Sequence, residues 1–338
     1  MPPPRPKFPR IAAVMLAALA CRAASCATPA PPDTPEEIEI KQNAYATVSA
    51  EEEKAFTRKQ APKLGEWLYT YHEKPQSFDE YRIKWHVRPT TERRTIVLQP
   101  LGEMNDEQKK LLDEMREYAE IFFQLPARIE KPLELKLDDS SKQLTRKVPL
   151  GRRLPGYELQ YCAERILDSL LMQRVPKDAV VYLGITMQDL YADDLNYVFG
   201  LGDVRARVGV YSFVRYFPEF WNQPRQPGAE RTALLRACKV LNHETGHMFG
   251  LLHCIFYDCS MNGSMSLQEI DSAPVHFCPI CQRKLQWNIG FDTEKQLKEL
   301  QAFYAKHNLK DEAAFTAARL DLWRKTEALE KKKRILDE

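Results

Sequence analysis

An α/β fold is predicted for this chain by three observations. Two apolar, β-rich runs, Thr95 to Pro100 and Ala179 to Thr186, read as buried strands. Segments with apolar residues at helical intervals accompany them, above all Asp106 to Gln124 and Leu235 to Leu252. The length, 338 residues with 44% hydrophobic content, can bury a sizeable core in one large domain or two smaller ones.

Taken in order, residues 1–26 read as processing rather than fold. Arg5, Lys7 and Arg10 form a positive n-region, and Ile11 to Ala20 is an apolar run too short to span a bilayer. Ala18-Leu-Ala20 is an A-x-A exit with Cys21 immediately after it. The segment is therefore expected to be a signal peptide or a lipoprotein leader anchored on Cys21, with Cys26 the poorer anchor. The leucine expected three residues before an anchoring cysteine is missing. Export to the periplasm or the exterior follows; the alternative is an alanine-rich leader on a cytoplasmic protein. Residues 27–50 read as a linker, since Pro29 to Glu37 is rich in proline and acid.

Residues 51–93 form an N-terminal extension, charged and aromatic-containing from Glu51 to Tyr81, with helical spacing in its first half. His72 and His86 read as ordinary surface histidines. Thr95 to Pro100, carrying Ile96, Val97 and Leu98, is the first buried strand, and the Asp106 to Gln124 helix follows. Leu133 to Leu137 is expected to be a second short strand, Gln160 to Gln173 a second helix, and Ala179 to Thr186 a central strand. Leu235, Cys238, Val240, Leu241, Met248 and Phe249 give the Leu235 to Leu252 helix a buried character, as of a helix under a sheet. From Thr293 to Glu338 lysine, glutamate and alanine dominate, which predicts one or two amphipathic helices, with Asp311 placed to cap the second and Lys331 to Arg334 a solvated helix end. No internal repeat is present.

The stretch His243-Glu-Thr-Gly-His-Met-Phe-Gly-Leu-Leu-His253 carries the chemistry. His243 and His247 are four apart, so on a helix they project from one face and can grip one metal ion. Gly250 offers a left-handed stop at which the chain can turn, letting His253 swing back as third ligand. Three protein ligands leave zinc one open position, where a water acquires a pKa near neutrality, and Glu244 on the same turn is placed to be its general base. That is a peptide-bond hydrolysis site.

Eight cysteines stand at positions 21, 26, 162, 238, 254, 259, 278 and 281. Cys278-Pro-Ile-Cys281 is a knuckle that can chelate one side of a second, structural zinc, with Cys254 and Cys259 closing the other side. The rival is a pair of disulfides, which an exported protein allows. Cys162 and Cys238 lie in apolar helical patterns and read as free buried thiols.

With these motifs in place the chain resembles the archaemetzincins, a branch of the metzincin zinc peptidases. The resemblance rests on the extended histidine motif followed at once by Cys254, Cys259, Met261, Cys278 and Cys281. Upstream it includes Gly184 to Tyr191, Asn196 to Gly200 and Gly209 to Phe213, covering about Arg94 to Phe291, and more weakly Trp67 to Tyr81. The sixteen-residue spacer between Met261 and Cys278 is one shorter than the family pattern, a difference a loop absorbs. The resemblance implies a metzincin-like zinc peptidase fold: a mixed twisted sheet over an active-site helix, with a zinc-stabilised C-terminal subdomain. It assigns residues 94–291 to the catalytic domain and leaves 292–338 as a C-terminal helical segment. Met261 would be the methionine beneath the zinc-binding histidines, a place a polarizable thioether can fill without competing for the metal; Met265 and Met248 are the alternatives. In metzincins a strand at the rim of the sheet pairs with the substrate, and Tyr197, Val198, Phe199 and Gly200 are the candidates here, with Gly209 to Phe213 as neighbour.

The expected activity is zinc-dependent peptide hydrolysis, with two zinc ions per chain, one catalytic and one structural. A zinc-scaffolded peptide-binding module with little or no turnover is the alternative, against which Glu244 argues, because a binding module has no use for a base beside the metal. The partner is a peptide or protein substrate. A net charge of +2 and no basic stripe with interleaved aromatics argue against nucleic acid. A membrane enters only through the N-terminal anchor.

Overall fold

Strand β1 (Thr95–Leu101) buries side chains on both of its faces, and this organises the molecule. Ile96 and Leu98 join one core cluster while Val97 and Leu101 join another on the opposite side, as the period-two alternation of a strand requires. The computed structural model describes residues 30–136, 143–148, 157–192 and 196–337, so the leader read over residues 1–26 lies outside them. Lys331 to Arg334 lies beyond the residues whose side chains are described.

Among the described residues eight strands follow in chain order: β1, β2 (Ala127–Ile129), β3 (Thr145–Lys147), β4 (Leu159–Cys162), β5 (Ala179–Thr186), β6 (Leu190–Tyr191), β7 (Gly200–Asp203) and β8 (Val208–Ser212). The main sheet has the order β2-β1-β5-β8-β7. All its pairings are parallel except β7 with β8, so the expected mixed sheet is present with one antiparallel edge. Every residue of β5 is buried, which is why its sequence is a continuous apolar run. A smaller sheet, β3-β4-β6, lies beside it.

Two long helices cover the Leu98 and Leu183 face. Asp106–Phe123 presents Leu111, Met115, Tyr118 and Phe122, and Ala229–Met248 presents Leu234, Ala237, Cys238 and Leu241. The second starts earlier and stops sooner than the apolar spacing predicts. Against the other face lies a wide helical coil, Ile166–Leu171, contributing Ile166, Leu167, Leu170 and Leu171.

Several expectations need correction. Residues 27–50 are not simply a linker: Pro35–Tyr45 is a helix, started by a capping box in which Thr34 and Glu37 satisfy each other's backbone amides, with proline at its first turn. The first half of the extension is helical only over Ala50–Ala55 and the single turn Trp67–Thr70. Leu133 to Leu137 is no strand over its described residues; only Leu133 bridges Leu101, because the Lys136 amide turns back onto the Glu134 carbonyl at 2.9 Å and the chain leaves the extended line of β1. Gln160 to Gln173 is not one helix. Its first residues belong to β4, where pairing with β3 and the Gln160 bonds to Asp189 and Asn196 outweigh helical periodicity. The C-terminal segment is two helices, Thr293–Lys306 and Lys310–Asp337. Asp311 sits inside the first turn of the second, and Leu309 supplies the capping carbonyl. Among the described residues no helix is long and apolar enough to cross a membrane.

Candidate metal centre

The helix Ala229–Met248 carries His243 and His247 one turn apart and ends just beyond them. Gly250 has φ +91°, a left-handed conformation that a side chain resists. Its amide bonds the His247 carbonyl at 2.8 Å and the Leu251 amide bonds the Gly246 carbonyl at 3.0 Å, the paired closure of a Schellman motif. That closure reverses the chain and returns His253 to the other two histidines, with ring centroids 5.2 Å from His243 and 5.0 Å from His247.

Each histidine is held from behind. His243 Nδ1 donates to the Ser260 carbonyl at 2.9 Å and His247 Nδ1 to the Leu251 carbonyl at 2.7 Å, while His253 Nδ1 bonds Glu73 Oε1 at 2.7 Å. A carbonyl only accepts, so the protons of the first two rings sit on Nδ1 and their Nε2 lone pairs face inward. Those two Nε2 atoms are 3.0 Å apart. Bare lone pairs that close repel, and a cation between them removes the repulsion; tetrahedral zinc at its usual ~2.1 Å from each nitrogen would set them about 3.4 Å apart. The three histidines can offer nitrogens all within 4.8 Å of one another, so the set fits zinc. Burial, and then the neighbouring His253, push the His243 pKa down to about 3, and burial pushes His247 well down too, so both are neutral, as ligands must be.

Glu244 is fully enclosed. Burial pushes its carboxyl well above the usual range, against the pull of the Tyr211 hydroxyl. Glu244 Oε2 and the hydroxyls of Tyr211 and Tyr216 have no hydrogen-bond partner among the described residues. An oxygen left this way on a buried carboxyl is costly, and a cation held by the neighbouring histidines would favour the ionised form that burial opposes.

Met261 is completely buried, and its Sδ lies where a Cβ on Gly246 would be, 2.4 Å from that position. It therefore packs on the helix between the two helical histidines. Met248 instead approaches Gly202. Gly246→Ala is expected to destabilise the fold by about 1–3 kcal/mol through overpacking and to lower zinc uptake. Denaturant midpoints and zinc content measure both, and an unchanged midpoint would contradict the Met261 packing.

Of the four rim candidates, only Gly200 lies in the edge strand β7. The Val198 amide is taken by the Leu190 carbonyl, Phe199 stacks on Tyr216 at 5.8 Å, and Arg215 lies 3.4 Å over the Tyr197 ring. The edge strand on this side of the sheet is thus Gly200–Asp203. Tyr211 lies across its glycines: a Cβ on Gly200 would come within 2.0 Å of that ring.

The cysteines form a second cluster. Cys254, Cys259, Cys278 and Cys281 are all buried, none is disulfide-bonded, and their sulfurs lie within 4.8 Å of one another. Cys254 and Cys278 Sγ are 3.6 Å apart, too far for a disulfide and close to the ~3.8 Å that tetrahedral zinc with bonds of about 2.3 Å would set. Cys259 Sγ accepts amides from Met261 at 3.4 Å and Cys278 at 3.2 Å. Asn262 knits the loop, donating to the carbonyls of Cys254 and Tyr257 and accepting the Cys259 amide. Burial pushes the pKa of Lys284 and of the half-buried Arg319 down, and sulfurs of this cluster pull both the other way, so each cation lies where it can offset thiolate charge. Cys162 and Cys238 are free and buried as expected, although Cys162 ends a strand.

Sequence reading missed Glu73, Trp67, Gln76, Asn262 and Tyr211. Glu73 is 180 positions from His253, and no local spacing joins them. His72, expected at the surface, is partly buried and bonds Glu37 at 3.0 Å.

The family model for Peptidase family M54 matches residues 110–287. Archaemetzincin-2 of Pongo abelii is 31% identical over 263 residues, covering 70% of this chain and 71% of that protein. The archaemetzincin of Methanocaldococcus jannaschii is 29% identical over 191 residues, 56% of this chain and 92% of the relative. The crystal structure of archaemetzincin from Methanopyrus kandleri aligns with a TM-score of 0.45 at 28% identity, over 60% of this chain and 98% of that one. On the family match and the identity to its relatives, the chain belongs to Peptidase family M54, the archaemetzincins, and is a zinc metallopeptidase.

Proposed function

We propose that His243, His247 and His253 hold the catalytic zinc through Nε2 and that Glu244 is the general base and proton carrier of peptide-bond hydrolysis. The observation that supports this most is the convergence of outward-anchored histidines, with Glu244 next to His243 in the chain and carrying a buried, unpartnered oxygen. Zinc, when bound, supplies a Lewis acid that acidifies a water and polarises the scissile carbonyl. Glu244 Oε2 takes the proton from the attacking water and delivers it to the leaving amide nitrogen. Burial excludes bulk water from this transfer. The substrate pairs with the outer edge of β7, Gly200–Asp203, through backbone hydrogen bonds, on the hairpin whose other strand carries Tyr211. A second zinc on the four cysteines is structural.

The test is zinc content per chain together with turnover of a mixed peptide library across pH. Two zinc equivalents are expected, with activity lost on chelation and restored by zinc. His243 and His247 are neutral when folded, whereas unfolded histidines titrate near pH 6.5, so the unfolded state binds more protons below that value. Stability is therefore full above about pH 6.5 and falls as pH drops towards about 3, and activity declines on the same side. Turnover that survives complete metal removal would overturn the proposal.

A further inference from the structure

We propose that Glu73 is a positioning residue for the catalytic metal: its carboxylate, brought in by the N-terminal extension, fixes the ring of His253 and strengthens Nε2 as a ligand. The inference rests on the histidine site proposed above and adds a residue outside the matched 110–287 region.

The three histidines are not held alike. His243 and His247 sit on a helix and lean on carbonyls of the nearby chain. His253 lies beyond the helix end, in a segment without regular secondary structure, so nothing in its own backbone sets its ring. Its partner is the one charged group among the three, Glu73 Oε1 at 2.7 Å. A carboxylate accepting from Nδ1 selects the tautomer with a free Nε2 and raises that nitrogen's basicity more than a neutral carbonyl does.

Glu73 is itself built in. The same Oε1 accepts Trp67 Nε1 at 2.8 Å, and the Trp67 ring meets His253 edge-on at 5.1 Å. Trp67 in turn lies on Gly263, where a Cβ would fall 2.5 Å from the indole. Three residues after Glu73, Gln76 donates to the Gly250 carbonyl at 3.0 Å and accepts the Leu252 amide at 3.3 Å. Lys284 Nζ holds the Gln76 carbonyl at 2.6 Å. The segment is thus anchored to the same chain reversal that delivers His253.

Glu73→Gln keeps the shape and removes the charge; Glu73→Asp keeps the charge. Zinc affinity is measured by chelator competition, with the cysteine site as internal reference, alongside the melting temperature of the zinc-free protein. For Glu73→Gln we expect affinity at the histidine site to fall about 10–100-fold, with the cysteine site and the zinc-free melting temperature unchanged. Glu73→Asp should recover part of the loss. Histidine-site affinity within twofold of wild type, or an equal loss at both sites, would overturn the inference. A measurement on the unaltered zinc protein stands beside the variants: long-range nitrogen–proton NMR should find His253 protonated at Nδ1, and the opposite tautomer would refute it. A wild-type chain that takes up zinc only at its cysteines would instead defeat the histidine-site proposal itself.

Discussion

Glu244→Gln is expected to lower turnover by about 10²–10⁴-fold while both zinc equivalents stay bound. Glutamine fills the same enclosed space beside Tyr211 and Tyr216 but cannot take a proton, so the loss falls on the chemical step. The amide also ends the burden of a buried carboxylate with an unpartnered oxygen, so the variant should melt no lower than the parent. Steady-state kinetics, zinc analysis and a thermal melt on one preparation check all three. Activity within twofold of wild type would remove Glu244 from the mechanism, and loss of zinc would make it a ligand.

Cys281→Ser is expected to lose one zinc equivalent and most of the folded state. Structural zinc contributes on the order of 10–16 kcal/mol in small zinc-binding peptides, as much as the whole stability of a typical domain at about 5–15 kcal/mol. The cysteine cluster also joins separate parts of the chain. Cys254 and Cys259 lie in the loop after the histidines, and Cys278 and Cys281 at the start of the Pro279–Ile289 helix. The extension docks on that loop, through the Lys59 amide to the Phe256 carbonyl and the Asp258 amide to the Thr57 carbonyl. By contrast, His247→Ala should lose the other equivalent and all turnover yet melt near wild type. A Cys281→Ser protein that melts with the parent and keeps two zinc equivalents would refute the structural role.

What the sequence made legible is what is encoded locally. The histidine motif spans eleven residues on one helix and its terminating turn, so spacing and one glycine determine it. Strand β5 was legible because two covered faces force an unbroken apolar run. Strand β4 was not, since its pairing comes from residues far away and its Gln160 and Cys162 carry no strand signature. Of the rim candidates that the resemblance implied, only Gly200 falls in the edge strand, because Tyr197 and Phe199 pack on Arg215 and Tyr216 and the strand itself, Gly200–Asp203, carries two glycines that give no strand signature. Glu73 was invisible because a charge that supports a ligand has no fixed offset from it. The helix start at Thr34 and Glu37 was present in the sequence as a capping box, overlooked among the prolines around it.

Gln76 bears on how far such a chain can be trimmed. A fragment starting at Arg94 would keep every histidine and cysteine of both clusters, and all the residues a motif search would demand. It would strip the Gly250 carbonyl and the Leu252 amide of their side-chain partner, leave Lys284 without the Gln76 carbonyl, and take Phe56 and Tyr81 out of the main core. Transplanting the reaction centre to a smaller scaffold therefore means supplying substitutes for those contacts, because the smallest portable unit begins well upstream of the first ligand-bearing helix.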